Sequence, residues 1–209
     1  MKTAEATATS AGEVHAVVEV REKGSLDRAT IVKTGLRLLD EVGIDGLSTR
    51  RLATELGIKS ASLYWHFKDK DELLNEMSTV MLRECLHLGN ANEPGFDALD
   101  WLADSARAIR STALSRRDGA QVMARPLLRP PNTKTPLDDN RKALMRLGLT
   151  EMEARLAMHT IRRFAIGAAI QEQSSPPGPG TCTAAEGFEF GLKTFIDGLK
   201  VLIASRAHK

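Results

Sequence analysis

The stretch LSTRRLATELGIKSASLYWHFKDK, residues 47–70, decides the fold prediction. Its first half reads as a short helix that begins after Ser48 and stops at Gly57, a residue type suited to the turn after a helix. A second short helix follows and carries Leu63, and Ala53 is small enough to lie where the two helices cross. This pattern predicts a helix-turn-helix, whose second helix can enter the major groove of DNA.

The same stretch has a local excess of positive charge. From Ser48 to Lys70 there are five Lys and Arg residues against Glu55 and Asp69, whereas the whole chain has a net charge of only +2. Serine, threonine and tyrosine hydroxyls add hydrogen-bonding groups for phosphates, which position a protein on DNA without reading its sequence. Arg50 is the candidate base reader, because a guanidinium can donate two hydrogen bonds to guanine.

The rest of the chain also reads as helical. Of the 209 residues, 42% are hydrophobic, 27% are charged and only 4% are aromatic. This composition is typical of a globular protein, and the scarcity of aromatic residues argues against a β-sandwich or barrel. From Ser25 onward apolar residues recur three and four positions apart, with stretches rich in Gly and Pro between the helical segments. We therefore predict an all-α fold.

Several other classes of protein do not fit the sequence. The histidines are scattered, and neither a G-x-S-x-G motif nor a phosphate-binding glycine loop is present, so we do not expect an enzyme. Cys85 and Cys182 match neither a disulfide framework nor a metal-binding spacing, so we expect no metal and no cofactor. The sequence has no run of 18 apolar residues and no signal-sequence pattern, which predicts a cytoplasmic protein without a membrane partner.

The chain resembles the tetracycline-repressor (TetR) family of transcriptional regulators. The likeness is carried by IDGLSTRRLA at residues 44–53 and by LYWHFKDK at residues 63–70. It continues through LSRRDGA at 114–120, Arg125-Pro126 and Phe190-Gly191-Leu192, which are similar to the subfamily of the tetracycline repressor itself. The resemblance covers roughly residues 25–204. It implies a regulator, most often a repressor, with a DNA-binding head and a helical body that holds a small-molecule inducer.

This resemblance also implies a domain organisation and a homodimer. We expect a mobile tail over 1–24, the helix-turn-helix DNA-binding domain over 25–70, and the ligand-binding and dimerisation domain over 71–209. The dimer should bind a palindromic operator on double-stranded DNA. We expect the helices at about 150–173 and 184–205 of each subunit to form a four-helix bundle. The last helix offers an apolar seam for it: Phe188, Leu192, Phe195, Leu199 and Leu202.

Carried over position by position, the DNA contacts of the family fall on eleven residues of the head. They are Ser48, Thr49, Arg50, Lys59, Ser60, Ala61, Ser62, Tyr64, Trp65, His66 and Lys70. In the tetracycline-repressor subfamily the positions of Lys59, Ser60 and Ala61 hold Glu, Gln and Pro. Because a recognition helix reads bases from these positions, we expect a different operator sequence.

The resemblance places the inducer site on six residues of the body: Leu86, Ser105, Ile109, Met123, Arg125 and Gln171. The subfamily holds a magnesium-tetracycline chelate with a histidine and a glutamate, which Met123 and Gln171 replace here. A thioether is a poor magnesium ligand, so we do not expect a metal-chelated inducer. Leu86, Ile109 and Met123 instead predict an apolar pocket for a hydrophobic or polycyclic molecule, with a few polar anchors.

A second interpretation stays open at this stage. The chain can be a helix-turn-helix protein that responds to a protein partner or to no ligand, because the helix-turn-helix indicates only DNA binding. The long C-terminal body is larger than a dimer interface requires, which favours a cavity for a ligand.

Overall fold

The computed structural model describes residues 26–85, 89, 91–125, 136–174 and 182–207. Within these residues the chain forms nine α-helices and no β-strand, as predicted. The helices are α1 Arg28–Gly46, α2 Thr49–Glu55, α3 Ser60–Leu63, α4 Lys70–Cys85, α5 Ala98–Leu114, α6 Gly119–Met123, α7 Pro136–Arg146, α8 Glu151–Ser174 and α9 Ala184–Ala207. The predicted tail over 1–24 lies outside the described residues.

Local signals in the sequence set the ends of the head helices. The Ser48 side chain accepts a hydrogen bond from the backbone amide of Arg51 at 3.2 Å and so caps α2. After α2, Gly57 has a φ of +66°, and the amide of Ile58 donates to the carbonyl of Ala53 at 3.0 Å. This is the Schellman geometry that favours glycine, and it directs the chain into α3.

The helix-turn-helix has a small apolar core of its own. Ala53 is buried at the contact between α2 and α3, as its size predicts. Leu52, Leu63 and Phe67 are buried beside it. The second helix spans only the four residues Ser60–Leu63, because after Leu63 the chain continues as turns.

The body is built around the long contact between α5 and α8, with α4 running from the head into the body. Arg110 of α5 donates two hydrogen bonds of 2.6 and 2.7 Å to Glu172 of α8, and this ion pair is largely buried. Arg107 of α5 pairs with Glu189 of α9 at 2.8 Å. No helix in the described ranges is long and apolar enough to span a membrane.

The short helix α6 is not foreseen in the sequence analysis. It follows Asp118, whose backbone lies in the left-handed region at φ 54°. A Cβ at Gly119 would approach the backbone oxygen of Ala113 to 2.4 Å, so only glycine fits there. Five residues are too few to show a helical period, which is why the pattern gives no sign of α6.

The apolar seam of the last helix lies largely within the subunit. Phe188 and Leu192 are buried, and Leu199 is half-buried against the core. The large exposed apolar side chains of α9 are instead Phe190 and Val201, which are 74% and 69% exposed. The seam therefore packs α9 onto its own subunit, and a different face of the helix is free for a partner.

Candidate DNA-binding surface and ligand cavity

The eleven sequence-predicted DNA contacts lie along α2, α3 and the turns around them. Six are exposed: Ser48, Arg50, Lys59, Ala61, Tyr64 and Trp65. Five are half-buried: Thr49, Ser60, Ser62, His66 and Lys70. Ten of the eleven thus lie on the helix-turn-helix, Lys70 begins α4, and none is buried in the core.

Two aromatic side chains stand out from this surface. Trp65 is 89% exposed and Tyr64 is 57% exposed. Large aromatic side chains usually contribute their area to a core, so such exposure indicates a surface that meets another molecule.

The positive charge of this surface is not neutralised within the subunit. Arg50 and Lys59 have no ion-pair partner in the described part of the chain. Two other arginines of the head, by contrast, are paired: Arg28 with Glu72 at 3.0 Å, and Arg37 with Glu41 and Glu55. Arg50 and Lys59 therefore remain available on the exposed helix-turn-helix surface, which favours an interaction with phosphates.

One predicted contact also has a role inside the head. Lys70 donates from Nζ to the backbone carbonyl of Ile44 at 2.8 Å, at the start of α4. This bond ties the end of α1 to the helix that enters the body.

The body contains a cavity of about 360 Å³, formed mainly by α5, α7 and α8. Its apolar wall consists of Leu82, Leu102, Ile109, Leu137, Met158 and Ile161. Its polar lining consists of Trp101, Ser105, Asp138, Arg141, Arg155, His159 and Arg162. The volume is that of a small-molecule site, which typically spans about 300–1,000 Å³. No cluster of His, Cys, Asp or Glu in the described residues has an arrangement that can hold a metal.

Four polar atoms that belong to the lining residues are buried without a hydrogen-bond partner. They are Trp101 Nε1, Ser105 Oγ, Arg141 Nε and Arg162 Nε. Buried polar groups are nearly always paired, so unpaired ones around a cavity indicate a place where a ligand supplies the missing partner.

Positive charge also dominates the cavity. Burial and then the charge of Arg163 lower the pKa of the Arg162 guanidinium from its ordinary value. The pKa of His159 is lowered first by partial burial and then by the nearby guanidiniums of Arg163, Arg155 and Arg162. The other end of Arg162 is anchored, since Nη2 donates to the carbonyls of Met123 and Arg125 at 2.7 and 3.2 Å.

The structure brings together two of the six predicted inducer residues, Ser105 and Ile109, in the cavity. Met123 is buried outside the lining, and Arg125 pairs with Asp71 of α4 at 2.8 Å. Gln171 is exposed in a separate groove between α8 and α9. The prediction for Leu86 lies outside the described residues.

Most of the polar lining is absent from the residues predicted for the inducer site, although the helical period contains a signal for part of it. Trp101 lies one turn before Ser105 on α5 and shares its face. Arg155, His159 and Arg162 follow one another at four and three positions on α8. A face of this kind shows that residues lie together, but not that they border a cavity.

Two family models match the chain. The model of the bacterial regulatory proteins of the tetR family matches residues 31–77, and the model of the tetracyclin repressor-like C-terminal domain matches residues 93–185. The tetracycline repressor protein class A from transposon 1721 of Escherichia coli is 36% identical over 151 residues, which are 72% of this chain and 69% of that protein.

Solved structures share the fold of the whole described chain. A variant of TetR from Acinetobacter baumannii AYE, in complex with minocycline, is 32% identical with a TM-score of 0.76, over 85% of this chain and 98% of that one. The TetR family protein ActR of Streptomyces coelicolor, in complex with (S)-DNPA, is 27% identical with a TM-score of 0.72, over 83% and 97%. The chain therefore belongs to the TetR family of bacterial regulatory proteins, which are helix-turn-helix transcriptional regulators rather than enzymes.

Proposed function

We propose that this protein is a repressor that binds a palindromic operator as a homodimer and leaves it when a small molecule with a largely apolar body occupies the cavity. The observation that carries the proposal is the exposed helix-turn-helix surface. It carries Trp65 together with Arg50 and Lys59, which have no ion-pair partner in the described residues. The DNA-binding domain proposed for it, residues 25–70, ends where α4 begins.

The surfaces of α8 and α9 support the proposed dimer. Four apolar side chains of these helices are exposed: Met152, Leu156, Phe190 and Val201. Gly167, Gly187 and Gly198 have open space where a Cβ would be, so another helix can approach closely there. A second copy would cover this apolar area and place two recognition helices about 34–36 Å apart, in successive major grooves.

Two links between the cavity and the head support release by a ligand. The helix α4 runs from the head to Leu82 at the cavity wall. The helix α6 offers a second route, because Arg162 of the cavity binds the carbonyls at its C-terminal end and Asp118 at its other end accepts a hydrogen bond from Ile44 of the head. A ligand that binds one arrangement of these helices more tightly shifts the population of the DNA-binding form.

A titration of the purified protein against DNA that flanks its own gene tests this function. We expect a complex that resists random competitor DNA, protects a palindrome and weakens only in part when the salt concentration is raised. Binding that competitor removes completely at both salt concentrations would show only the sequence-independent phosphate interaction and would contradict the proposal.

A further inference from the structure

The geometry points to an oxyanion on the ligand: an apolar, ring-sized molecule that carries a carboxylate or another acidic oxygen group, held by Arg162, Arg141, Trp101 and Ser105. The inference rests on the proposed function of the cavity as the ligand site. It adds an acidic group to the expected ligand. The sequence predicts only an apolar pocket for a hydrophobic or polycyclic molecule.

The hydrogen-bonding chemistry of the unpaired atoms decides what the ligand must offer. Trp101 Nε1, Arg141 Nε and Arg162 Nε can only donate, and the Ser105 hydroxyl can donate as well. Trp101 and Ser105 are only 5% and 3% exposed, so bulk water does not reach them freely. A ligand that pairs with these donors must therefore present acceptor oxygens to them.

The charge of the lining selects an anion among the possible acceptors. Three arginines line the cavity against one carboxylate, that of Asp138. Arg141 also lies 3.6 Å from Asp138 and 3.8 Å from Glu151 outside the lining, so its charge is compensated in part. No carboxylate in the described ranges pairs with Arg162, whose remaining hydrogen bonds go to neutral backbone carbonyls. A desolvated cation without a counter-ion is costly, and an anionic ligand removes that cost.

Ordered water is the simplest alternative to an anionic ligand as a partner for these donors. Water can pair with the indole and the hydroxyl, but it leaves the charge of Arg162 uncompensated. A carboxylate or sulfonate accepts several hydrogen bonds at once, and charge-assisted bonds of this kind are about twice as strong as neutral ones. The apolar wall with Leu102, Ile109 and Ile161 then accommodates the rest of the molecule.

A pair of fluorescent probes separates the two possibilities. Anilinonaphthalenesulfonate and phenylnaphthylamine share the same ring system, and only the first carries an oxyanion. We expect the intact protein to bind the sulfonate at least about tenfold more tightly than the neutral amine, since one charge-assisted hydrogen bond contributes roughly that factor. Fluorescence titration and calorimetry of each probe give the two dissociation constants.

Matched variants assign the preference to the cavity. Arg162→Gln should weaken sulfonate binding about tenfold and leave the affinity for the neutral amine unchanged. Arg146→Gln removes the same charge from an exposed side chain at the end of α7, outside this lining, and should change neither affinity. If circular dichroism shows that Arg162→Gln does not fold, the affinities of the two probes are measured on Arg141→Gln instead.

Each outcome decides the inference. Equal affinity of the two probes, an unchanged preference in both Arg162→Gln and Arg141→Gln, or no binding of either probe would overturn it. Operator binding by the same preparations is measured in parallel. If the protein binds its operator but shows no preference for the sulfonate, only the inference about the ligand fails. If the preference is present but no operator is bound, the proposed function fails instead.

Discussion

The carboxylate of Asp118, at the start of α6, accepts a hydrogen bond of 2.8 Å from the backbone amide of Ile44, 74 residues away in the DNA-binding head. Ile44 directly follows Gly43, where a φ of +73° produces a kink near the end of α1. A Cβ at Gly43 would lie 2.6 Å from the same carboxylate, so glycine is needed for the two segments to meet. The body thus contacts the head at the point where α1 changes direction.

This contact predicts the effect of three substitutions at Asp118. Asp118→Gly removes the acceptor and also the Cβ that the left-handed backbone disfavours, so we expect a net loss of about 1 kcal/mol in the free energy of unfolding. Asp118→Ala should lose roughly a further 1 kcal/mol, because its Cβ disfavours that backbone region. Asp118→Asn keeps an acceptor oxygen and tolerates the backbone, so it should lie closest to the unchanged protein. Urea unfolding measures all three, and an unchanged stability of Asp118→Ala, which keeps a Cβ and loses the acceptor, would show that the bond contributes nothing.

The unpaired guanidinium of Arg50 predicts a specific effect on DNA recognition. Arg50→Ala should cost about 1–3 kcal/mol of operator binding and relax discrimination at one base pair. Arg37→Ala is the control, since Arg37 is an arginine of the same head that is already paired with two glutamates. Competition with operators that carry single base changes gives the affinities of Arg50→Ala, Arg37→Ala and the unchanged protein for each sequence. An equal loss on every sequence would identify Arg50 as a phosphate contact.

The exposed apolar residues of α9 predict where the dimer can be broken. Val201→Asp and Phe190→Asp should each shift the protein from twice the chain mass of 22.8 kDa towards that mass in sedimentation equilibrium, because a charge would be buried in the interface. These are sharper tests than a change at Leu199, which also packs against its own subunit. Tyr64→Asp, an exposed aromatic position of the head, should leave the mass unchanged. Dimers that persist in both α9 variants would place the interface elsewhere.

An ion pair between the two long helices predicts a dependence on pH. Hydrogen bonds from Arg206 and then from Thr150 lower the pKa of Glu153 to about 2. Because this folded-state pKa lies below the unfolded value of about 4.3, the pair stabilises the fold above that value and is lost as the pH falls through about 2. The stability difference between the unchanged protein and Glu153→Gln should therefore disappear in acid.

Carboxyl-resolved NMR titration checks the cause of this shift. Arg206→Gln should raise the pKa of Glu153, though not fully to its ordinary value, because the hydrogen bonds with Thr150 remain. A pKa of Glu153 that is the same in Arg206→Gln as in the unchanged protein would mean that Arg206 does not hold this carboxylate in solution.

The helix-turn-helix could be predicted from the sequence because its signals are local. Ser48 caps α2, Gly57 makes the left-handed turn, and Ala53 fits the helix crossing, each within a few residues of the structure it determines. The exposed positions of Arg50 and Trp65 follow from the same short-range geometry. Family motifs in this stretch then identified the class of protein.

Only the tertiary structure decided the cavity and the contact between body and head. Trp101, Arg141 and Arg162 lie on three helices, far apart in the chain, and no spacing in the sequence shows that their faces converge. An arginine with a carboxylate partner, such as Arg110, and one without such a partner in the described residues, such as Arg162, also look the same in a sequence. Helix period and caps depend on neighbours along the chain, whereas a cavity and an unpaired charge depend on which distant residues packing brings together or leaves apart.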